Sequence, residues 1–166
     1  MTETPDPLSD KDVTARYRRA VEANDVEAVL LTLAPDVVVH SPISDRVSFR
    51  GRDEMRDLFR AVFASVDGIH YFADVGDSRT RALFYRATVG GEPVEEATRL
   101  RLDDDQLVEE ITLFFRPLPG LTALTAALAP RIARRRGRGR AIAARLLLGP
   151  LAVATRLGDR LVTKFV

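Results

Sequence analysis

The chain contains no cysteine. That excludes a disulfide framework, a thiolate nucleophile and any cysteine-ligated metal centre. Its two histidines, His40 and His70, stand in neither an HxH nor an HxxxH pattern, and the acidic turns lack the DxDxDG order of a calcium loop. No metal is expected. No stretch reaches the roughly 18 uncharged apolar residues of a membrane-spanning helix. The first eight residues, MTETPDPL, are polar and Pro-rich, and read as a frayed tail and not as a signal peptide. A cytoplasmic protein is the resulting expectation. No internal repeat is visible.

What is present suggests one domain with an appendage. The chain has 166 residues, 46% of them hydrophobic, enough for a core. The net charge of +1 conceals an asymmetry. Residues 1–116 carry 15 Lys+Arg against 23 Asp+Glu (net −8), and residues 117–166 carry 10 against one (net +9). An acidic folded domain over 1–117 and a basic amphipathic helical extension over 118–166 follow, divided near Pro117-Leu118-Pro119-Gly120.

Helical spacing opens the chain. Ser9 is placed to cap a helix whose buried stripe holds Val13, Tyr17, Ala20 and Val21. Asn24-Asp25 breaks it, and Asp25 caps a second helix with Val26, Val29, Leu30 and Leu33 on one face, ended by Pro35. Asp36–Ser41 is β-branched and reads as a strand, and residues 42–50 as a loop or short edge strand. A third helix opens at Gly51, with Met55, Leu58, Phe59, Val62 and Phe63 as its apolar stripe. Four strand-like segments follow, Ile69–Val75, Arg81–Val89, Pro93–Leu102 and Leu107–Phe115, separated by turn residues. The plan is α+β: a curved antiparallel sheet wrapped on three N-terminal helices, a cone enclosing an apolar cavity.

Strand parity constrains the candidate residues. His40 and Ser41 alternate, so only one faces the cavity. His70 shares a face with Phe72 and Asp74, opposite Ile69 and Tyr71. Glu110, Thr112 and Phe114 share one face of the last strand; Glu109, Ile111, Leu113 and Phe115 share the other. Glu92, Glu95, Glu96 and Asp103–Asp105 fall at strand ends and turns and read as a solvated acidic rim. Tyr17 is either a core aromatic or a pocket-lining donor.

The stretches RYRRAVEAND, VVVHSP, FRGRDEMRDLF and ITLFFRP resemble the nuclear transport factor 2-like superfamily, on its SnoaL-like and steroid Δ-isomerase-like branch, over about residues 10–117. The resemblance implies a pocket for a small hydrophobic molecule and no cofactor. It implies proton-transfer chemistry (isomerisation, cyclisation or dehydration) on a hydrophobic carbonyl or polyketide-like substrate. Matched residue by residue, Tyr17 takes the place of the oxyanion-hole tyrosine, Ser41 that of the general-base aspartate, and Thr98 falls near the second, protonated aspartate. The same match turns Glu110 toward the cavity. A serine without an activating partner is a very poor base, so acid–base work falls to Glu110, His40 or His70, the two histidines echoing the pair in scytalone dehydratase-like enzymes. Tyr17, His40 and Glu110 are thus the catalytic candidates, with Ser41, Phe63, His70, Thr98, Thr112 and Phe114 lining the pocket. The alternative is a non-catalytic ligand-binding or assembly module.

The extension has no counterpart in that minimal fold. Leu121, Leu124, Leu128 and Ile132 form one helical stripe, interrupted by Pro130. An arginine-rich stretch, RIARRRGRGR, follows. From Ala141 onward Leu147, Leu151, Leu157, Leu161 and Phe165 form an apolar arc, with a kink or split expected at Gly149-Pro150. Three readings compete: packing over the acidic rim of its own body, homodimerisation, or contact with an anionic membrane surface through residues 131–166. A nucleic-acid partner is not expected, because no aromatics are interleaved with the arginines.

Overall fold

The computed structural model describes residues 12–133 and 138–162. The chain runs α1 (Val13–Glu22), α2 (Val26–Leu30), β1 (Leu33–His40), β2 (Ser48–Arg50), α3 (Gly51–Phe63), β3 (Asp67–Gly76), β4 (Thr80–Val89), β5 (Glu92–Leu102), β6 (Val108–Arg116), α4 (Leu118–Ala133) and α5 (Arg138–Val162). The six strands form one curved, unclosed sheet in the order β2-β1-β6-β5-β4-β3. The α+β plan is as expected. One pairing differs from the purely antiparallel sheet: β1 lies parallel to β6, because the chain crosses over through α3 and the meander before returning to β1's side.

Local chemistry explains most boundaries. The N-cap of α1 is Asp12, whose side chain accepts from the Thr14 N–H at 2.9 Å; Ser9 lies outside the described residues. Asp25 caps α2 by accepting from the Ala28 N–H at 3.0 Å. That helix is only five residues long, and Leu33, expected on its face, instead begins β1. Thr32 ends the turn by donating its hydroxyl to the Val29 carbonyl at 2.6 Å. Pro35 sits inside β1, not before it, where the β1–β6 register shifts between Leu33 and Val38. A proline that cannot donate to the ladder is accommodated at such an irregularity. Gly90 and Gly91 both take positive φ (57° and 83°), closing a two-residue hairpin between Val89 and Glu92. That conformation suits the twist of the flanking strands and favours glycine at both positions.

The inner face of the sheet and the helices enclose one apolar core, in which Val29, Leu33, Met55, Leu83, Leu100 and Val108 are fully buried. A charged cluster ties the start of α1 to the sheet. Arg81, on β4, donates to Asp74 of β3 at 2.8 Å through Nε and meets it again through Nη2 at 2.6 Å. Arg18 of α1 stands 3.4 Å from the other Asp74 oxygen.

Helix α4 packs on α3, β4, β5 and β6, and Leu124 joins the core. The 117/118 boundary therefore falls between β6 and a helix that forms a wall of the body. Helix α5 packs on α4. It continues through Gly149-Pro150 as one helix, so the chain does not split there. Thr122 and Thr155 share a hydrogen bond at 2.6 Å, and Arg156 pairs with Glu92 at 2.5 Å. Arg134–Arg136 and Phe165 lie outside the described residues. Among the described residues no helix is long and apolar enough to cross a membrane.

The crossing of α4 over β5 depends on Gly120, where a Cβ would collide with Val94 Cγ1 and stand 3.1 Å from the Pro93 carbonyl. Gly120→Val should cost about 1–3 kcal/mol through overpacking. Differential scanning calorimetry should show a melting temperature lower by roughly 3–10 °C. Adding Val94→Ala should recover part of that loss, because the two side chains compete for one space.

Candidate functional site

A cavity of about 460 Å³ opens between the sheet and helices α1, α3 and α4. Its wall is overwhelmingly apolar: Val39 and Ile111 from the sheet, Phe59 and Val62 from α3, Leu124 and Leu128 from α4. The loop after β1 contributes Ser41, Pro42, Ile43 and Val47. Ile43 and Val47 are also solvent-exposed, so this loop forms part of the mouth.

A few polar groups converge on this wall. Glu96 of β5 is 5% exposed and lines the cavity together with Tyr17, Tyr71 and Tyr85. The Tyr85 hydroxyl donates to Glu96 Oε2 at 2.6 Å, and the Thr98 hydroxyl donates to Oε1 at 2.5 Å. Burial pushes the Glu96 carboxyl up to about 7 against the pull of these two hydrogen bonds. Burial, reinforced by the Glu96 charge, also holds the Tyr17 and Tyr85 hydroxyls well above the usual phenol range. At neutral pH all three tyrosines are protonated donors, while Glu96 is poised between acid and base. The Tyr17 hydroxyl has no protein hydrogen-bond partner among the described residues, so it remains free to donate to a bound molecule.

The backbone around Tyr71 completes the support. Its N–H donates to Glu22 Oε1 of α1 at 2.7 Å, and its ring meets that of Tyr85 edge-on at 5.4 Å. The Tyr17 ring is likewise edge-on to Phe59 at 6.3 Å.

Several candidates named from the sequence stand elsewhere. Tyr17 and Ser41 do line the cavity, but the Ser41 hydroxyl accepts from the Ile43 N–H at 3.2 Å and stabilises the loop. Thr98 is fully buried on the inner face and supports Glu96. Glu110 is on the outer face, paired with Arg99 at 2.8 Å and Arg101 at 3.1 Å. Thr112 accepts from Arg99 on that face, and Phe114 is exposed there. The reason is parity: Ile111 and Leu113 line the cavity, so their even-numbered neighbours point out. His40 ends β1 exposed. His70 is also exposed and approaches Glu22 at 3.5 Å; the inward positions beside it are Ile69 and Tyr71. The two histidines and Glu110 therefore do not meet at the cavity. Phe63 packs on Phe59 at 5.6 Å without forming part of the cavity wall.

Its acidic neighbours suggest a solvated rim for Glu96, but Glu96 is the buried acid. The overlooked signal was alternation: Val94, Thr98, Leu100 and Leu102 share its parity, and all are buried. Among the described residues no group of three or more His, Asp or Glu side chains is arranged to hold a metal ion.

The family model of the SnoaL-like domain matches residues 14–110. Among solved structures, the chain is similar to a protein conserved in bacteria with a cystatin-like fold from Silicibacter pomeroyi. The TM-score is 0.69 at 22% identity, covering 83% of this chain and 96% of that one. It is similar to a steroid delta-isomerase from Pseudomonas aeruginosa, with a TM-score of 0.68 at 22% identity over 81% and 98% of the two chains. A third likeness is to the epoxide hydrolase/cyclase-like enzyme of pyran ring formation in the polyether salinomycin, with a TM-score of 0.55 at 18% identity over 64% and 89%. No curated protein matches the sequence.

The raised carboxyl has a consequence for stability. A folded-state value near 7 against an ordinary 4.5 means that the folded protein holds this proton more tightly than the unfolded chain. The contribution is fully present below the ordinary value and is lost as pH rises through 7, a change on the order of 3 kcal/mol. Thermal melts of the parent and Glu96→Gln should diverge in favour of the variant between about pH 5 and about pH 8. Parallel curves would show that Glu96 titrates normally.

Proposed function

Because the chain belongs to the SnoaL-like domain family, we propose that its cavity binds a small hydrophobic carbonyl or polyketide-like compound and isomerises, cyclises or dehydrates it by proton transfer. The observation that carries this reading is the Glu96 carboxyl, buried in the wall of an apolar cavity with the Tyr85 and Thr98 hydroxyls on its two oxygens; burial pushes its proton affinity up to about 7. A base of that affinity is half-ionised at neutral pH and serves equally well as the acid in the return step.

In the proposed reaction the Glu96 carboxylate removes a proton from the carbon adjacent to the substrate carbonyl. The electron pair of the broken C–H bond moves into the carbonyl, leaving an enolate oxygen. Tyr17 donates its hydroxyl hydrogen bond to that oxygen, where the negative charge develops. The proton then returns from Glu96 to another carbon, or accompanies a leaving hydroxyl in a dehydration. Tyr85 and Thr98 keep the carboxylate oriented and its basicity within range. The apolar wall excludes water and favours a substrate with few polar groups. Names borne by similar structures, a steroid delta-isomerase and an epoxide hydrolase/cyclase-like enzyme, fall within this reaction range.

A turnover screen with β,γ-unsaturated ketones and poly-β-ketone analogues tests the proposal. Glu96→Gln should lower kcat by about 10²–10⁴-fold. Tyr17→Phe should lower it by about 10²–10³-fold. For the parent, kcat/KM should rise with pH through about 7, following the carboxylate form. Full activity in both variants would overturn the assignment, whereas Glu110→Gln should leave the rate unchanged because its carboxylate lies on the outer face.

A further inference from the structure

Helix α5 is amphipathic in the reverse of the usual sense. Leu148, Ala152 and Thr155, at i, i+4 and i+7 spacing, are half-buried, and Thr155 makes the hydrogen bond to Thr122 of α4. Ile142, Leu146, Leu147, Leu151, Val153, Leu157 and Leu161 are each 49–75% exposed. At 100° per residue these seven positions fall within one half of the helix circumference, away from the Thr155 side. From Ile142 to Leu161 the arc extends roughly 28 Å along the helix axis. An apolar surface of this extent on a solvated protein marks a contact site.

The charge of the segment identifies the occupant. Residues 131–166 carry ten Lys+Arg and one Asp. A symmetric contact between two copies of α5 would bring two such strongly basic segments together. An anionic lipid surface offers hydrocarbon to the leucines and negative charge to the arginines. The placement of α5 leaves the arc open: its other side is occupied by α4, and Arg156 is held by Glu92 at 2.5 Å. We propose that α5 lies flat on an anionic membrane surface with its leucine arc buried at the headgroup–acyl boundary. This goes beyond the chemistry of the cavity and does not depend on it.

Vesicle flotation of the full chain tests it, using phosphatidylcholine alone and phosphatidylcholine with about 30% phosphatidylglycerol. The chain should float with the anionic vesicles, at least about tenfold more than with neutral ones, and raised salt should weaken binding. Leu146→Gln, Leu147→Gln and Leu157→Gln combined should lower anionic-vesicle binding by at least about tenfold, through lost apolar burial. An unchanged melting temperature would show that the variant is folded, as expected for exposed positions. Failure of the parent chain to float, or equal binding by the variant, would overturn the proposal. So would a vesicle-independent dimer, seen by light scattering, that the triple substitution dissolves, since the arc would then belong to a second copy.

Discussion

The structure is organised by the cost of removing one carboxyl from water. An ionised carboxylate transferred to an apolar interior loses several kcal/mol of hydration even after relaxation. Two hydroxyl donors, Tyr85 and Thr98, offset part of that loss for Glu96, and the remainder appears as a proton affinity raised to about 7. The arrangement depends on strand register. Tyr85 of β4 stands opposite Glu96 of β5, and Leu83 opposite Thr98. The Gly90-Gly91 turn joins these strands with Val89 opposite Glu92. A one-residue slip of β5 would turn Glu96 and Thr98 outward together. The glycine pair therefore acts at a distance on the chemistry of the cavity.

The helical side of the cavity is fixed by a second set of charges. Tyr17 belongs to α1, whose first turn is held by Asp12 and whose Arg18 approaches Asp74 at 3.4 Å. Arg81 neutralises Asp74 with contacts at 2.8 and 2.6 Å. Near the other end of the helix, Glu22 accepts the Tyr71 N–H. Thr14 in the first turn also donates its hydroxyl to Asp74 at 3.4 Å, so both ends of α1 are attached to β3, which sets the position of Tyr17 relative to the sheet. Removing one partner of such a buried pair costs more than the pair itself contributes, because the remaining charge is stranded.

Much of this was legible in the sequence. Asp25, the glycine pair and the stripe through Met55, Leu58 and Phe59 led to the right elements and to the SnoaL-like fold. The errors came where a local rule competed with a tertiary one. Pro35 reads as a helix terminator, but it lies within β1 because the register shift there removes the need for its missing N–H. Glu110 was turned inward by matching positions across a distant resemblance, although Ile111 and Leu113 on the opposite face were the more apolar pair. Glu96 was assigned to solvent by its acidic neighbours, although its parity was that of Val94, Leu100 and Leu102. On a half-buried strand, alternation is the stronger guide, since it follows from backbone geometry and not from composition. Proximity in space between Tyr17, Tyr85 and Glu96 had no sequence signal, because three separate elements carry them.

The two C-terminal helices complete a division of apolar surface. Helix α4 places Leu124 and Leu128 on the cavity, and its close approach at Gly120 leaves no room between it and β5. With that face closed by α4, the leucine arc of α5 points away from the body. On the inner side of α5 Leu148, Ala152 and Thr155 are half-buried, not fully buried, and Thr155 bonds Thr122 of α4, a shallow contact and not a second core. Among the described residues the leucine arc therefore stays largely exposed. Its exposure instead costs solubility, a cost that burial against a surface would remove. The proposed hydrophobic substrate and membrane site are physically consistent, since α4 both lines the cavity and carries α5. A compound concentrated in the lipid would lie close to the protein that the same lipid retains.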